Sequence, residues 1–119
     1  MTYSIKEFSK MVGVSAHTLR YYEREGLLKT NRDENNNRIY SDENILWVES
    51  ILHLKNTGMS LQDMKQFFQW GHMGDETVEK RLALLKNHRK KIVEELNKIS
   101  QSLEFLDNKI DIYENDISK

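Results

Sequence analysis

Between Val14 and Leu28 the chain reads VSAHTLRYYEREGLL, which crowds hydrogen-bond donors, cations and phenols into one short stretch. Ser15 can cap a helix beginning at Ala16, since its side-chain oxygen accepts from first-turn N–H groups. Leu19 and Tyr22 lie three apart and can share an inward face, while His17, Thr18, Arg20, Tyr21 and Arg24 spread over the remaining surface. Guanidinium groups suit phosphates, and short polar side chains at the N-terminal end of a helix suit base edges. This surface therefore has the chemistry to meet a duplex groove. Catalytic chemistry is missing by comparison. No nucleophile–base pair, phosphate-cradling glycine loop or clustered carboxylate pair occurs, and each of the five glycines punctuates a helix or loop. There is no cysteine, and the four histidines are scattered with no i, i+4 pair, so neither a disulfide nor a metal site nor a cofactor is expected. The pattern points to a binding protein and not to an enzyme.

The neighbouring segments must position that stretch. Ser4-x-x-Glu7 has the form of a capping box, and Ile5, Phe8, Met11 and Val12 make the apolar face of a short helix that Gly13 ends. Two short helices joined through a glycine turn are the ingredients of a helix-turn-helix, though the same pair also occurs as a plain packing unit. Lys29–Tyr40 is polar up to Arg38 and carries Asn35-Asn36-Asn37 at its centre, which suits either a hairpin tip or a solvated loop. Arg38 and Tyr40 alternate with Ile39, as in a strand with one packed face and one face toward a ligand. Ser41 can cap a helix running to about Thr57 with Ile45, Val48, Ile51 or Leu52, and Leu54 near its apolar face. Gly58 ends it, and Ser60 with Asp63 starts another carrying Leu61, Met64, Phe67 and Phe68. His53, on a mostly apolar helix, is expected to be a packing histidine.

Composition alone argues against a polyanion partner. The net charge of the 119 residues is −1, and residues 1–40 hold seven Lys and Arg against five Asp and Glu. Nucleic-acid binding must then come from the placement of a few cations. Charged residues make up 31% of the chain, and no run of eighteen apolar residues occurs, so neither a membrane span nor a signal peptide is expected and the cytoplasm is the expected location.

The C-terminal third carries a different signal. Leu82, Leu85, Arg89, Ile92, Leu96, Ile99, Leu103, Leu106, Ile110, Tyr113 and Ile117 alternate at intervals of three and four, and ten of these eleven are apolar. That is a coiled-coil seam, with Asp75 or Thr77 placed to cap its start and Arg89 placed to specify register. From Leu82 to Ile117, at ~1.5 Å per residue, the rod is about 54 Å long, too long to bury its stripe on a small domain. A second copy of the chain is the simplest partner. Periodicity does not set the strand direction. The expected division is 1–73 for a DNA-binding part and 74–119 for a dimerising helix.

The run YSIKEFSKMVGVSAHTLRYYEREGLL resembles the N-terminus of MerR-family transcriptional regulators, and the likeness continues through RIYSDENI, LKNTGMSLQDMK and the final helix. The resemblance implies a mainly α fold, a winged helix-turn-helix followed by a long dimerising coiled-coil helix, in a short form without a separate effector-binding domain. It implies an antiparallel homodimer on double-stranded promoter DNA, binding a pseudo-palindromic operator and distorting the spacer. It places Ser15, His17, Thr18, Arg20, Tyr21, Tyr22, Arg38, Tyr40 and Lys55 at the DNA, with Arg20 and Tyr21 on phosphates and core packing equally open for Tyr22. Asn36 and Asn37 stand where relatives more often have Gly and an aromatic.

The same resemblance leaves the partner list wider than DNA. Contact with RNA polymerase and a small-molecule inducer are both implied, the inducer of unknown kind. The branch most similar over WVESILHLKNTGMS uses a reactive cysteine where this chain has His53, so that thiolate chemistry does not carry over. Trp47, Phe67, Phe68, Trp70 and Met73 concentrate bulky groups that either fix the rod to the head or line an apolar ligand pocket. An architectural DNA-bending protein, or a coiled-coil interaction module without effector response, stays open as a second class.

Overall fold

Ser4 ends one element and starts the next. In the computed structural model, which describes residues 1–118, strand β1 (Thr2–Ser4) runs directly into helix α1 (Ile5–Val12). The capping box is formed: the Glu7 N–H donates to Ser4 Oγ at 3.1 Å, and the Ser4 N–H donates to Glu7 Oε1 at 3.0 Å. Gly13 takes a left-handed φ of 70° and turns the chain into α2 (Ala16–Arg24). Its N–H and that of Val14 both donate to the Ser9 carbonyl, which closes the tight joint between the two helices. Gly26, at φ 78°, ends α2, and the Leu27 N–H returns to the Tyr22 carbonyl at 2.9 Å. Leu27 and Leu28 are thereby delivered to the core.

The wing is a real hairpin. β2 (Asn31–Arg32) and β3 (Arg38–Ser41) pair antiparallel, and β1 adds to the other edge of β3, giving the order β1-β3-β2. β1 is a strand that the sequence pattern did not suggest, since three residues carry no usable periodicity. Its register puts Tyr3 opposite Tyr40, and Tyr3 Oη donates to Asp42 Oδ1 at 2.6 Å. At the tip, Asn36 adopts the left-handed φ of 64°. Asp33 holds the turn: its Oδ1 accepts from the N–H groups of Asn35 and Asn37, both at 2.9 Å.

Helices α3 (Asp42–Asn56) and α4 (Leu61–Met73) close the head. Buried Asn44 ties α3 to the loop before the wing, with its side-chain N–H donating to the Lys29 carbonyl at 2.9 Å and its Oδ1 accepting from the Ser41 N–H. Phe8, Leu19, Tyr40, Val48, Ile51 and Phe68 form the centre of the core. Phe8 and Tyr40 stack face to face at 4.4 Å, both fully buried. Met11, expected on the apolar face of α1, is instead 47% exposed. His53 is also exposed, which corrects its expected role as a packing residue: Ile51, two positions earlier, is the side chain that α3 sends inward.

Trp47 packs between elements. Its ring stacks on His72 at 4.4 Å and tilts against Phe68 at 5.7 Å, while Phe67 meets Phe68 edge-on. The recess that Trp47 borders, about 260 Å³, is otherwise lined mainly by polar groups such as Lys29, Asn31, Glu43 and His72. Of the two readings left open for Trp47, Phe67, Phe68, Trp70 and Met73, an apolar pocket finds no support: Trp47, Phe67 and Phe68 pack ring on ring, and Met73 is exposed.

A 3-10 turn (Asp75–Thr77) leads into α5 (Val78–Ser118). Buried Thr77 donates to the Trp70 carbonyl and accepts from Arg81 Nε at 3.1 Å. The first compact unit runs to Leu84 and the second from Leu85, beyond the 73/74 division expected from the sequence, because Arg81 and Leu84 still belong to the head's bonding and packing. Among the described residues no helix is long and apolar enough to cross a membrane.

Two outcomes follow for stability. Phe8→Ala, which removes the partner of the Tyr40 ring, lowers unfolding free energy by about 3–5 kcal/mol in chemical denaturation. Burial, then the Lys29 charge, holds the His72 imidazole below its usual 6.5, against a smaller opposing contribution from the Gly26 backbone. The unfolded chain therefore binds this proton more readily. The contribution is fully present above pH 6.5 and is lost as pH falls below that value, and His72→Phe removes this part of the acid sensitivity of the melting temperature.

Candidate nucleic-acid interface

Helix α2 begins with a cap that also arranges its exposed end. Ser15 Oγ accepts from the Thr18 N–H at 3.1 Å and donates to Thr18 Oγ1 at 2.9 Å. The Ser15 hydroxyl is thereby committed to the cap, while Thr18 Oγ1 accepts from it and keeps its own hydrogen to donate. His17 lies on the same turn and is exposed. Arg20, one turn on, is exposed and pairs with no carboxylate among the described residues. Tyr21 is half-buried, with the Arg24 guanidinium 5.6 Å from its ring centre.

Two of the expected contact residues are core residues instead. Tyr22 is 4% exposed and Tyr40 is 0% exposed. Tyr22 shares the inward face of α2 with Leu19, and burial raises its phenol pKa, with a further push from Tyr21. Tyr40 points into the head because strand alternation sends it to the face opposite Ile39, where Phe8 covers it. Burial raises the Tyr40 phenol as well, followed by the Glu23 charge. Neither ring is presented to a duplex, and the expectation of contact through them is corrected.

The wing carries its cations toward α2. Arg38 Nε donates to Glu23 Oε2 at 2.7 Å, and Arg32 Nη2 reaches Glu23 Oε1 at 3.4 Å. Thr30 Oγ1 donates to Glu23 Oε2 at 2.9 Å. Between α2, β1 and the wing lies a recess of about 530 Å³, bordered by Arg20, Arg32, Arg38, Asn36 and Asn37. Three guanidiniums thus line one concavity, together with the carboxylates of Glu7 and Asp33. Lys55 stands elsewhere, exposed in the last turn of α3.

Glu23, Thr30, Arg32 and Asp33 were missed from sequence. Nothing local in the sequence marks Glu23, and only the hairpin register explains it. Arg32 and Arg38 pair directly across the hairpin, and like charges so placed require a neutralising group. A metal-ion cluster of His, Asp and Glu is not found among the described residues.

On α5 the seam is uncovered. Leu82, Leu96, Ile99, Leu103, Leu106, Ile110 and Tyr113 are all exposed, Leu85 is at the edge of exposure and Ile92 is half-buried. No residue of this helix is buried.

The model of the MerR HTH family regulatory protein matches residues 3–69. An uncharacterized HTH-type transcriptional regulator of Haemophilus influenzae is 39% identical over 115 residues, spanning 96% of this chain and 85% of the relative. The Bacillus subtilis transcriptional regulator AdhR is 36% identical over 92 residues, 76% of this chain and 66% of its own length. Among solved structures, a MerR-family regulator lacking the sensor domain and bound to promoter DNA aligns with a TM-score of 0.77 at 39% identity, covering 97% of this chain and 92% of that one. A regulator from Listeria monocytogenes gives a TM-score of 0.82 at 34% identity, covering 94% and 86%. With a winged helix-turn-helix head, a long C-terminal helix and these relatives, the chain belongs to the MerR family of transcriptional regulators.

Proposed function

We propose that this chain binds a pseudo-palindromic promoter operator as a homodimer and controls transcription by distorting the DNA between its half-sites. The observation that carries the reading is the recess between α2 and the wing, where Arg20, Arg32 and Arg38 converge on a space open to solvent. The solved relative bound to promoter DNA supports the choice of ligand. α2 is the recognition helix, with His17 and Thr18 at base edges or nearby phosphates and Arg20 and Tyr21 on the backbone. Ser15 acts through the cap, Arg38 through the wing, and Lys55 touches a phosphate from the far side of the head. Residues 1–73 supply recognition and 74–119 supply pairing.

The case for the dimer is the apolar stripe on α5. At ~1.5 Å per residue its 41 residues extend about 62 Å, and the described chain offers the stripe no cover. Leu82, Leu85, Ile92, Leu96, Ile99, Leu103, Leu106, Ile110 and Tyr113 form the contact. Two heads held by one rod then meet half-sites whose separation the rod sets. The cost of deforming flexible base steps is offset by the phosphate interactions that both wings then make, and polymerase senses the resulting alignment. No catalysis is involved.

Arg20→Ala is expected to weaken binding to all duplexes and to flatten the slope of log K against log salt by about 1. Unchanged affinity with an unchanged slope rules out the phosphate role. Introducing Asp at both Leu103 and Leu106 should leave the head folded yet give a single protomer by sedimentation, with operator affinity reduced at least about 100-fold. A wild-type chain that sediments as one protomer at micromolar concentration while holding its operator would sink the dimer reading. Hydroxyl-radical footprints are expected to show distortion at the operator centre.

A further inference from the structure

Arg32 and Arg38 face one another across the wing hairpin, and a carboxylate from a different element stands between their demands. Glu23 Oε2 accepts from Arg38 at 2.7 Å and from Thr30 at 2.9 Å, and Oε1 accepts from Arg32 at 3.4 Å. The Arg32 guanidinium continues from Glu23 to the Asn36 carbonyl at 3.3 Å, the left-handed residue of the tip. A connected line of hydrogen bonds therefore runs from α2 to the end of the wing. Glu23 also lies three residues after Arg20, so both occupy one face of α2. Arg20 is left for an outside anion, while the wing arginines are held by an inside one.

We propose that Glu23 is a positioning residue that sets where the wing guanidiniums stand relative to the recognition helix, and that it thereby governs discrimination between operator and other DNA. This rests on the promoter-binding reading above. The sign of its effect separates it from simple electrostatics. Removing a carboxylate from a phosphate-facing surface raises the local positive potential, which by itself tightens binding to any duplex. If Glu23 fixes geometry, its loss frees two guanidiniums to neutralise phosphates in any register while the operator loses the one register it was matched to. In Glu23→Gln the side chain keeps its size and one accepting oxygen, but the negative charge is gone and the amide N–H groups on its other side cannot accept from a guanidinium. The network loses its charge and one of its two acceptors without a cavity. Thr30→Val is the gentler variant, since it deletes one hydrogen bond from an uncharged donor to the same oxygen and leaves every charge in place.

The test uses the full chain as wild type, E23Q and T30V, against an operator selected from a random duplex pool by the wild type and against a random duplex, over a salt series. E23Q is expected to bind the operator about 10-fold more weakly while its affinity for random duplex holds or rises by up to about 3-fold, with a random-duplex salt slope steeper by about 1. T30V is expected to lower the operator-to-random ratio about 3-fold with no change of slope. An E23Q ratio equal to that of the wild type overturns the inference. Equal weakening on both duplexes, accompanied by a fallen melting temperature, also overturns it, because Glu23 would then support folding alone. A wild type that selects no operator sinks the promoter-binding reading itself, which is a separate failure.

Discussion

One partly buried carboxylate holds the recognition surface together. Glu23 comes from α2, yet its partners Thr30, Arg32 and Arg38 all belong to the wing or its approach. A single exposed ion pair contributes about 0–1 kcal/mol and would be a weak basis for structure. Here three donors converge on two oxygens, and two of those donors would otherwise repel one another across the hairpin. The carboxylate resolves a conflict that the hairpin register creates, and in doing so it fixes the distance between two elements with different jobs. The wing is short: β2 has only two residues. It has little ladder hydrogen bonding of its own, so its attachment to α2 matters more than it would for a longer ribbon.

Beneath that surface, Arg38 and Tyr40 lie two positions apart on β3 and so share the face opposite Ile39. Tyr40 is the fully buried member of the two, and β1 lies beside it with Tyr3 opposite Tyr40. Phe8 on α1 then stacks on the Tyr40 ring, so the first helix of the helix-turn-helix is anchored to the wing as well as to α2. The Tyr40 hydroxyl has no hydrogen-bond partner among the described residues. Glu23 is among the charges that act on it, together with Arg38, Arg20 and Arg32. The charged network and the aromatic core thus meet at one buried phenol, which places the cations on a floor that cannot easily yield.

The C-terminal helix obeys a different constraint. Its stripe follows a 3.5-residue repeat, and such a repeat asks for another helix rather than for a globular surface. Among the described residues none along α5 is buried. Its first turns are an exception in another sense: Thr77 and Arg81 bond to the Gly74 carbonyl and to one another, so the helix starts within the head's own hydrogen-bonding scheme.

How far the chain could be understood without coordinates depends on the range of each interaction. Local signals were legible because their physics is local: the Ser4–Glu7 capping box, the Ser15 and Ser60 caps, the stops at Gly13 and Gly26, the Asn36 tip and the heptad seam each need only a few neighbouring residues to be recognised. The family likeness lay in the same stretches. Long-range pairings were not legible. Strand β1 has no periodicity of its own and exists only because β3 offers it an edge. Tyr22 and Tyr40 looked like contact residues, since a phenol suits either a core or a phosphate and nothing nearby in sequence decides between them. Their burial follows from helices and strands that meet them from elsewhere. Glu23 went unnoticed because its partners lie seven to fifteen positions away and reach it only once the hairpin has formed. Sequence by itself determined the helices with their caps and stops, and the kind of protein. The tertiary structure decided which polar groups remain available to a partner and which are already committed to one another, because that is settled by through-space distance and not by spacing along the chain.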